Sequence, residues 1–350
     1  MRMNKYNLLD CTLRDGSYIT EGEFPDQAIR DIIKTLIDSN LDFVEVGYLN
    51  STKLYRGNST HFDSISRIAE YLPVERKNAM LLAMVDVDQF KIEDFTPYDG
   101  TSVDGIRIVF YKHQIKEAIK YAKIVNELGY KLFMQPMVTI DYSMSEYSSL
   151  CDELIKLNPF GISIVDSFGY MTPGDFRKYF KILDNLAPES VIIGFHSHQN
   201  MNLALPVAVD VFEYSTARRL VIDCSLLGMG RGAGNLQTEL VANYYNNSFV
   251  PKYDIIELIR LINEYIVPIK ERREWGYTPY YFLTAYKGCH PNYAAFVLEN
   301  HQISLTDFAD YLNTIPPEMK TKCRRPYVEE MYQNFVKAKE ERHEVWTMVL

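Results

Sequence analysis

The stretch Gly194-Phe-His-Ser-His-Gln-Asn200 holds two of the chain's seven histidines, two residues apart. It follows the apolar run Val191-Ile-Ile193, whose β-branched character reads as a buried strand. Residues i and i+2 of a strand face the same side, so His196 and His198 project together and Ser197 turns away. Two neutral imidazoles converging at a strand end suit a divalent metal. The plain alternative is a pair of satisfied polar residues at a strand tip. Further ligand types at other strand ends favour the metal.

Those ends follow from the chain's rhythm. Apolar runs recur at Tyr6–Cys11, Phe43–Gly47, Asn78–Val85, Gly105–Tyr111, Lys131–Val138, Gly161–Asp166, Val191–His198 and Leu220–Ser225. Helical patterns are expected at Phe24–Leu41, 61–72, 114–128, 146–157, 173–186 and 202–218, and again after Asn235. In the first, Ile29, Ile32, Ile33, Leu36 and Ile37 share a face. Strands alternating with helices over about 250 residues predict a (β/α)8 TIM barrel. An open doubly wound sheet is the alternative, but no Gly-x-Gly-x-x-Gly follows the first strand. After Tyr265, prolines 268, 279, 291, 316 and 317 interrupt helical sequence, and no strand pattern returns. Residues 1–267 therefore read as the barrel. Residues 268–350 read as a small helical C-terminal extension, packed on the barrel or on a neighbouring subunit.

A barrel places its chemistry at the C-terminal ends of its strands. Those ends supply Arg14 and Asp15, Glu45, Gln135, Asp166 and Ser167, then His196 and His198, with Asn235 in the loop after the last strand. One carboxylate and two imidazoles make a half-open divalent site, and Asn235 offers another oxygen. Alone, Asp15 could simply cap the turn before Gly16. Arg14, beside it, is placed to hold a carboxylate or an enolate oxygen. Glu45 lies inside an apolar strand and must be paired if buried, with Arg14 its natural partner. Gln135 and Ser167 are candidate substrate contacts, although Ser167 could be only a turn residue. The glycine loop 228–234 could cradle a phosphate, but Ala233 stands where a dinucleotide loop needs its third glycine.

Composition narrows the setting. A net charge of −9 argues against nucleic acid or an anionic membrane as partner. No apolar run nears the roughly 18 residues of a membrane helix, and the N-terminus lacks a signal-peptide core. Five scattered cysteines without a Cys-x-x-Cys pair fit reduced thiols in the cytoplasm. The 26 tyrosines and 18 phenylalanines supply a core and a subunit interface, so a homo-oligomer is expected.

Three motifs in this order, Asp10-Cys-Thr-Leu-Arg-Asp-Gly16, His196-Ser-His198 and Gly228-Met-Gly-Arg-Gly-Ala-Gly-Asn235, resemble the DRE-TIM metallolyases. The match spans about residues 6–266. The glycine loop and helical tail look closest to the 4-hydroxy-2-oxovalerate aldolase branch. The resemblance implies that Asp15, His196 and His198, with Asn235 in some members, bind manganese or magnesium, with zinc or cobalt as further options. It implies that Arg14 stabilises an enolate and that the metal chelates a 2-keto acid. A base would take the 4-hydroxyl proton, releasing pyruvate enolate and an aldehyde. Some aldolases of this branch pass that aldehyde to an acylating dehydrogenase partner.

One departure concerns the base. The aldolase branch carries a histidine two residues after the Arg-Asp-Gly glycine, and the Claisen-type synthases carry Glu-Gln after that glycine. Here Ser17 and Tyr18 follow Gly16. Tyr18 acting through a relay, His61 and His290 are the candidate bases. An acyl-CoA-dependent Claisen condensation on a 2-keto acid and a non-catalytic, metal-retaining barrel are the alternative readings.

Overall fold

The computed structural model describes residues 5–52, 54–214, 216–301 and 303–349, with side chains except at 300 and 342–349. Nine strands run through it: β1 (Tyr6–Asp10), β2 (Phe43–Leu49), β3 (His61–Phe62), β4 (Met80–Asp86), β5 (Gly105–Phe110), β6 (Lys131–Pro136), β7 (Gly161–Asp166), β8 (Ile192–Ser197) and β9 (Leu220–Cys224). The order β1-β9-β8-β7-β6-β5-β4-β2 closes through a β1–β2 pairing into an eight-stranded barrel, and every pairing is parallel. The two-residue β3 sits on β2 outside the closed ring, with Tyr48 opposite His61.

Among the described residues, nine α-helices fall between and after the strands: α1 (Thr12–Asp15), α2 (Ser17–Thr20), α3 (Asp26–Asp38), α4 (Ile65–Ala69), α5 (Ile115–Glu127), α6 (Met144–Ile155), α7 (Pro173–Leu186), α8 (Ala204–Glu213) and α9 (Thr238–Ser248). Local chemistry sets their starts. Ser143 with Glu146 opens α6 and Thr172 with Asp175 opens α7, each as a reciprocal capping box, and Pro173 adds its fixed φ at the first turn. Two expectations need correction. Residues 61–72 are not one helix, because His61–Phe62 pair with β2 before α4 begins at Ile65. The helix expected over 202–218 stops at Glu213, where Tyr214 turns extended towards β9.

Strand alternation layers the barrel interior. Leu9, Cys11, Phe43, Leu82, Phe133, Ile192 and Val221 form a closed apolar cluster. Two residues further along their strands, Phe43, Phe133 and Val221 are followed by Glu45, Gln135 and Asp223. The same step that stacks an apolar floor therefore lifts a polar layer towards the C-terminal mouth. Gly194 is required there, since a Cβ would stand 2.3 Å from Ser163 Oγ.

Beyond the barrel run α10 (Ile255–Leu261), a π-helical turn at Ile262–Ile266, α11 (Val267–Lys270), α12 (Pro279–Tyr286), α13 (Asn292–Asn300), α14 (Leu305–Thr314), α15 (Pro317–Lys320) and α16 (Arg325–Val349). Tyr293, Val297, Phe308, Tyr311, Leu312 and Val328 form a second hydrophobic cluster, apart from the barrel core. Trp275 ties this region down: its indole N–H donates to the Leu227 carbonyl at 3.0 Å. No helix among the described residues is long and apolar enough to cross a membrane.

Candidate active site

Asp10 fixes the turn that leaves β1. Its carboxylate accepts the Thr12 amide at 2.9 Å and the Thr238 hydroxyl at 2.6 Å. Burial pushes its pKa up to about 6. The chain winds into α1 and buries Arg14 and Asp15, at 4% and 1% exposure. Arg14 Nη1 donates to Asp15 Oδ2 at 2.7 Å, and Arg14 Nε donates to Glu45 Oε2 at 2.6 Å. Glu45 Oε1 accepts from Arg107 on β5 at 3.1 Å. Arg107 continues to Gln135 Oε1 at 3.0 Å and to Asp223 Oδ2. Asp223 Oδ2 lies 3.1 Å from His196 Nδ1, and His196 Nε2 lies 3.4 Å from Asp15 Oδ2.

The six side chains Arg14, Glu45, Arg107, Asp223, His196 and Asp15 thus close a ring. Buried charges survive only with opposite neighbours, and each guanidinium here lies between two carboxylates. Burial alone would raise the Asp15 pKa, but Arg14 and the His196 hydrogen bond outweigh it and hold Asp15 well below the usual range. Burial pulls His196 down, but its contacts with Asp15 and Asp223 outweigh that and raise it. His198 has no such pair of carboxylates, and burial lowers its pKa to about 3, so it stays neutral.

The two imidazole rings lie 5.2 Å apart and nearly perpendicular. His198 Nδ1 and Asn235 Oδ1 are buried without hydrogen-bond partners. The Asn235 amide is oriented by donation to the Met229 carbonyl at 3.2 Å. Gly230 allows that approach, since a Cβ would stand 2.3 Å from Asn235 Nδ2 and 3.1 Å from Asp15 Oδ1. A neutral imidazole, an ionised carboxylate and an amide oxygen are a donor set that fits a divalent cation. Cys11 also lies within ligand reach of Asp15 and His196. Burial keeps its thiol protonated, however, and it donates to the Cys224 carbonyl at 3.2 Å.

The remaining expected residues separate. Gln135 joins the network through Arg107, and its Nε2 is buried without a partner. Ser167 Oγ accepts the Val138 amide at 2.9 Å and so braces a loop where Val138 takes a φ of 50°. Tyr18 is 46% exposed, and its hydroxyl bonds that of Tyr48 at 2.6 Å. Tyr48 in turn lies under Arg14, with the guanidinium carbon 6.0 Å from its ring centre. His61 stands behind this pair, with Nε2 3.0 Å from Ser17 Oγ and its ring edge-on to Tyr48. His290 reaches the mouth from the extension, packed on Phe168 and 3.4 Å from Arg231 Nη1.

Sequence reasoning missed Arg107 and Asp223. A charged residue inside an apolar strand was the available signal, the same one that marked Glu45.

The HMGL-like family model matches residues 5–264, most of the chain and all of the barrel strands. The chain belongs to this family. It is therefore a lyase-type enzyme of the DRE-TIM metallolyases, whose aldolases depend on a divalent metal. The oxaloacetate decarboxylase of Mycobacterium tuberculosis is 26% identical over 254 residues, covering 71% of this chain and 72% of that protein. The 4-hydroxy-2-oxovalerate aldolase 6 of Rhodococcus jostii is 25% identical over 251 residues, covering 68% and 67%. Among solved structures, the N-terminal domain of a proposed aldolase from Bacteroides vulgatus superposes with a TM-score of 0.69 at 26% identity, covering 84% of this chain and 97% of that one.

Proposed function

We propose that this family member makes or breaks the carbon–carbon bond of a 4-hydroxy-2-keto acid through a pyruvate enolate. The barrel, residues 1–267, carries the chemistry, and the extension, residues 268–350, brings His290 and Trp275 to its mouth. The observation that carries this reading is Arg14, held by Asp15 and Glu45 beside the candidate metal ligands. Asp15, His196, His198 and Asn235 would hold the cation, manganese or magnesium before zinc or cobalt. When bound, it supplies Lewis acidity to the keto and carboxylate oxygens of the substrate.

The protein groups do the rest. Arg14 offers Nη2, the nitrogen not engaged by its two carboxylates, to the oxygen on which enolate charge develops. Glu45 does not meet the substrate and acts by positioning Arg14 and Arg107. Gln135 Nε2 is free to donate to a substrate oxygen, whereas Ser167 is engaged in bracing its loop. Tyr18, hydrogen-bonded to Tyr48 and half-exposed, moves the proton between the 4-hydroxyl and solvent. The scattered free cysteines fit a cytoplasmic setting. A homo-oligomer and an aldehyde-accepting dehydrogenase partner go with the aldolase reading.

Tyr18 also favours a second reading. Loss of CO2 from oxaloacetate reaches the same enolate without any hydroxyl proton to remove. A tyrosine in place of a histidine costs such a reaction little, and one relative bears that name.

Pyruvate release separates the readings. Release from 4-hydroxy-2-oxovalerate without CoA selects the aldolase, and release from oxaloacetate alone selects the decarboxylase. Thiol release from acetyl-CoA in place of both moves the chain to the Claisen synthases.

A further inference from the structure

The glycine loop sets one more cation at the mouth. The Arg231 backbone N–H lies 3.4 Å from Asp15 Oδ1, so the side chain starts beside a candidate metal ligand. Its guanidinium packs over the Tyr18 ring, 5.3 Å from the centre, and Nη1 stands 3.4 Å from His290 Nε2. Arg231 Nε is buried without a hydrogen-bond partner. Among the described residues no carboxylate forms a direct ion pair with it, although the Asp15 charge acts on it and Tyr111 shares a hydrogen bond with its guanidinium.

His290 does not balance this charge. Its Nδ1 accepts the Asn292 amide at 3.1 Å, which assigns the proton of the neutral ring to Nε2. Burial, with Arg231 adding to it, holds the imidazole pKa well below the usual value, so the ring is neutral. Nε2–H and the guanidinium are therefore two donors side by side, and neither can accept from the other. A shared oxyanion satisfies both.

The space that Arg231 faces, with Asn292 beside His290 on its wall, is large. A cleft of about 1040 Å³, lined by Tyr18, Arg231 and Trp275 among others, lies between the barrel mouth and the extension. Its other cations are engaged: Arg273 with Glu21 at 3.1 Å, Arg325 with Glu299 at 3.9 Å, and Lys270 with the Trp275 carbonyl at 2.6 Å. That volume is at the upper end of ligand pockets, which run to roughly 1,000 Å³, and far exceeds a two-carbon aldehyde.

We propose that Arg231 and His290 form an oxyanion subsite for the aldehyde half of the substrate, which then carries a carboxylate or a phosphate. This rests on the aldolase reading of the same site. It makes the natural partner of pyruvate an anionic aldehyde longer than acetaldehyde.

The test is aldol addition of pyruvate to matched aldehydes by the wild-type chain with Mn²⁺. Succinic semialdehyde is compared with butanal, and glyceraldehyde 3-phosphate with glyceraldehyde. The anionic member of one pair is expected to show a kcat/KM roughly 10- to 100-fold above its neutral partner. Which pair shows it distinguishes carboxylate from phosphate. Arg231→Met should bring that ratio close to one, and Arg231→Lys, which keeps charge without the fork, should fall between. The neutral aldehyde is the internal control for each variant. A wild-type ratio near one, or a preference that survives Arg231→Met, overturns the subsite. Pyruvate proton exchange by the wild type tells the two failures apart. With exchange and no anion preference, the subsite falls alone; with no exchange, the aldolase reading falls and the subsite with it.

Discussion

Glu45 accepts Arg14 on Oε2 at 2.6 Å and Arg107 on Oε1 at 3.1 Å, so one buried carboxylate fixes two guanidiniums from opposite sides. Arg14 arrives from the turn after β1 and Arg107 from β5. Through Asp223 and His196 the same network returns to Asp15. The group proposed to stabilise the enolate and the groups proposed to hold the metal are therefore parts of one electrostatic unit.

Removing Glu45 tests that unity. Glu45→Ala leaves two buried cations short of a partner and is expected to cost about 3–5 kcal/mol of stability. Glu45→Gln keeps one acceptor and should cost less, yet kcat should still fall because Arg14 loses its charged anchor. Denaturant unfolding and steady-state kinetics on both variants measure this. Unchanged kcat in Glu45→Gln would show that Arg14 keeps its position unaided.

Asp223 orients His196 without itself being placed among the ligands. Asp223→Asn should weaken Mn²⁺ binding by about 10- to 100-fold, as loss of such an orienting carboxylate does elsewhere. Calorimetric titration of the metal reads this directly. Wild-type affinity in a folded variant would detach His196 from the metal.

Tyr18→Phe separates the two proposed reactions. Cleavage of a 4-hydroxy-2-keto acid should slow by about 100-fold or more if the phenol moves the proton. Oxaloacetate decarboxylation, which has no such proton, should change little. Equal effects on both reactions would give Tyr18 a role in binding rather than in proton transfer.

Asp10 gives the fold a pH signature. Burial raises its pKa from 3.8 to about 6, so folding favours its protonated form. Its contribution is complete below about pH 4 and is lost as pH rises through 6, a change of at most about 3 kcal/mol. The free energy of unfolding of Asp10→Asn, measured from pH 4 to 7, should lack that decline relative to wild type. Parallel profiles would mean that Asp10 stays ionised in the folded protein.

Much of this was legible in the sequence because it rests on local signals. The eight barrel strands are apolar runs, and the residues at their ends gave Arg14, Asp15, Glu45, His196, His198 and Asn235. Arg107 and Asp223 were not found because their partners lie far along the chain, and only barrel closure brings them together. His61 was misplaced for a related reason: β3 exists through its pairing with Tyr48 and Leu49, not through its own propensity. Arg231 looked like part of a glycine loop, and only the fold sets it against Tyr18 and His290.

The most direct test of the central claim is exchange of the pyruvate methyl protons in D₂O, followed by NMR. It needs no knowledge of the aldehyde. Loss of the methyl signal with Mn²⁺ or Mg²⁺, abolished by chelator and by Asp15→Ala, is the predicted result. No exchange with either metal, or exchange indifferent to chelator, would contradict a metal-dependent pyruvate enolate at this site.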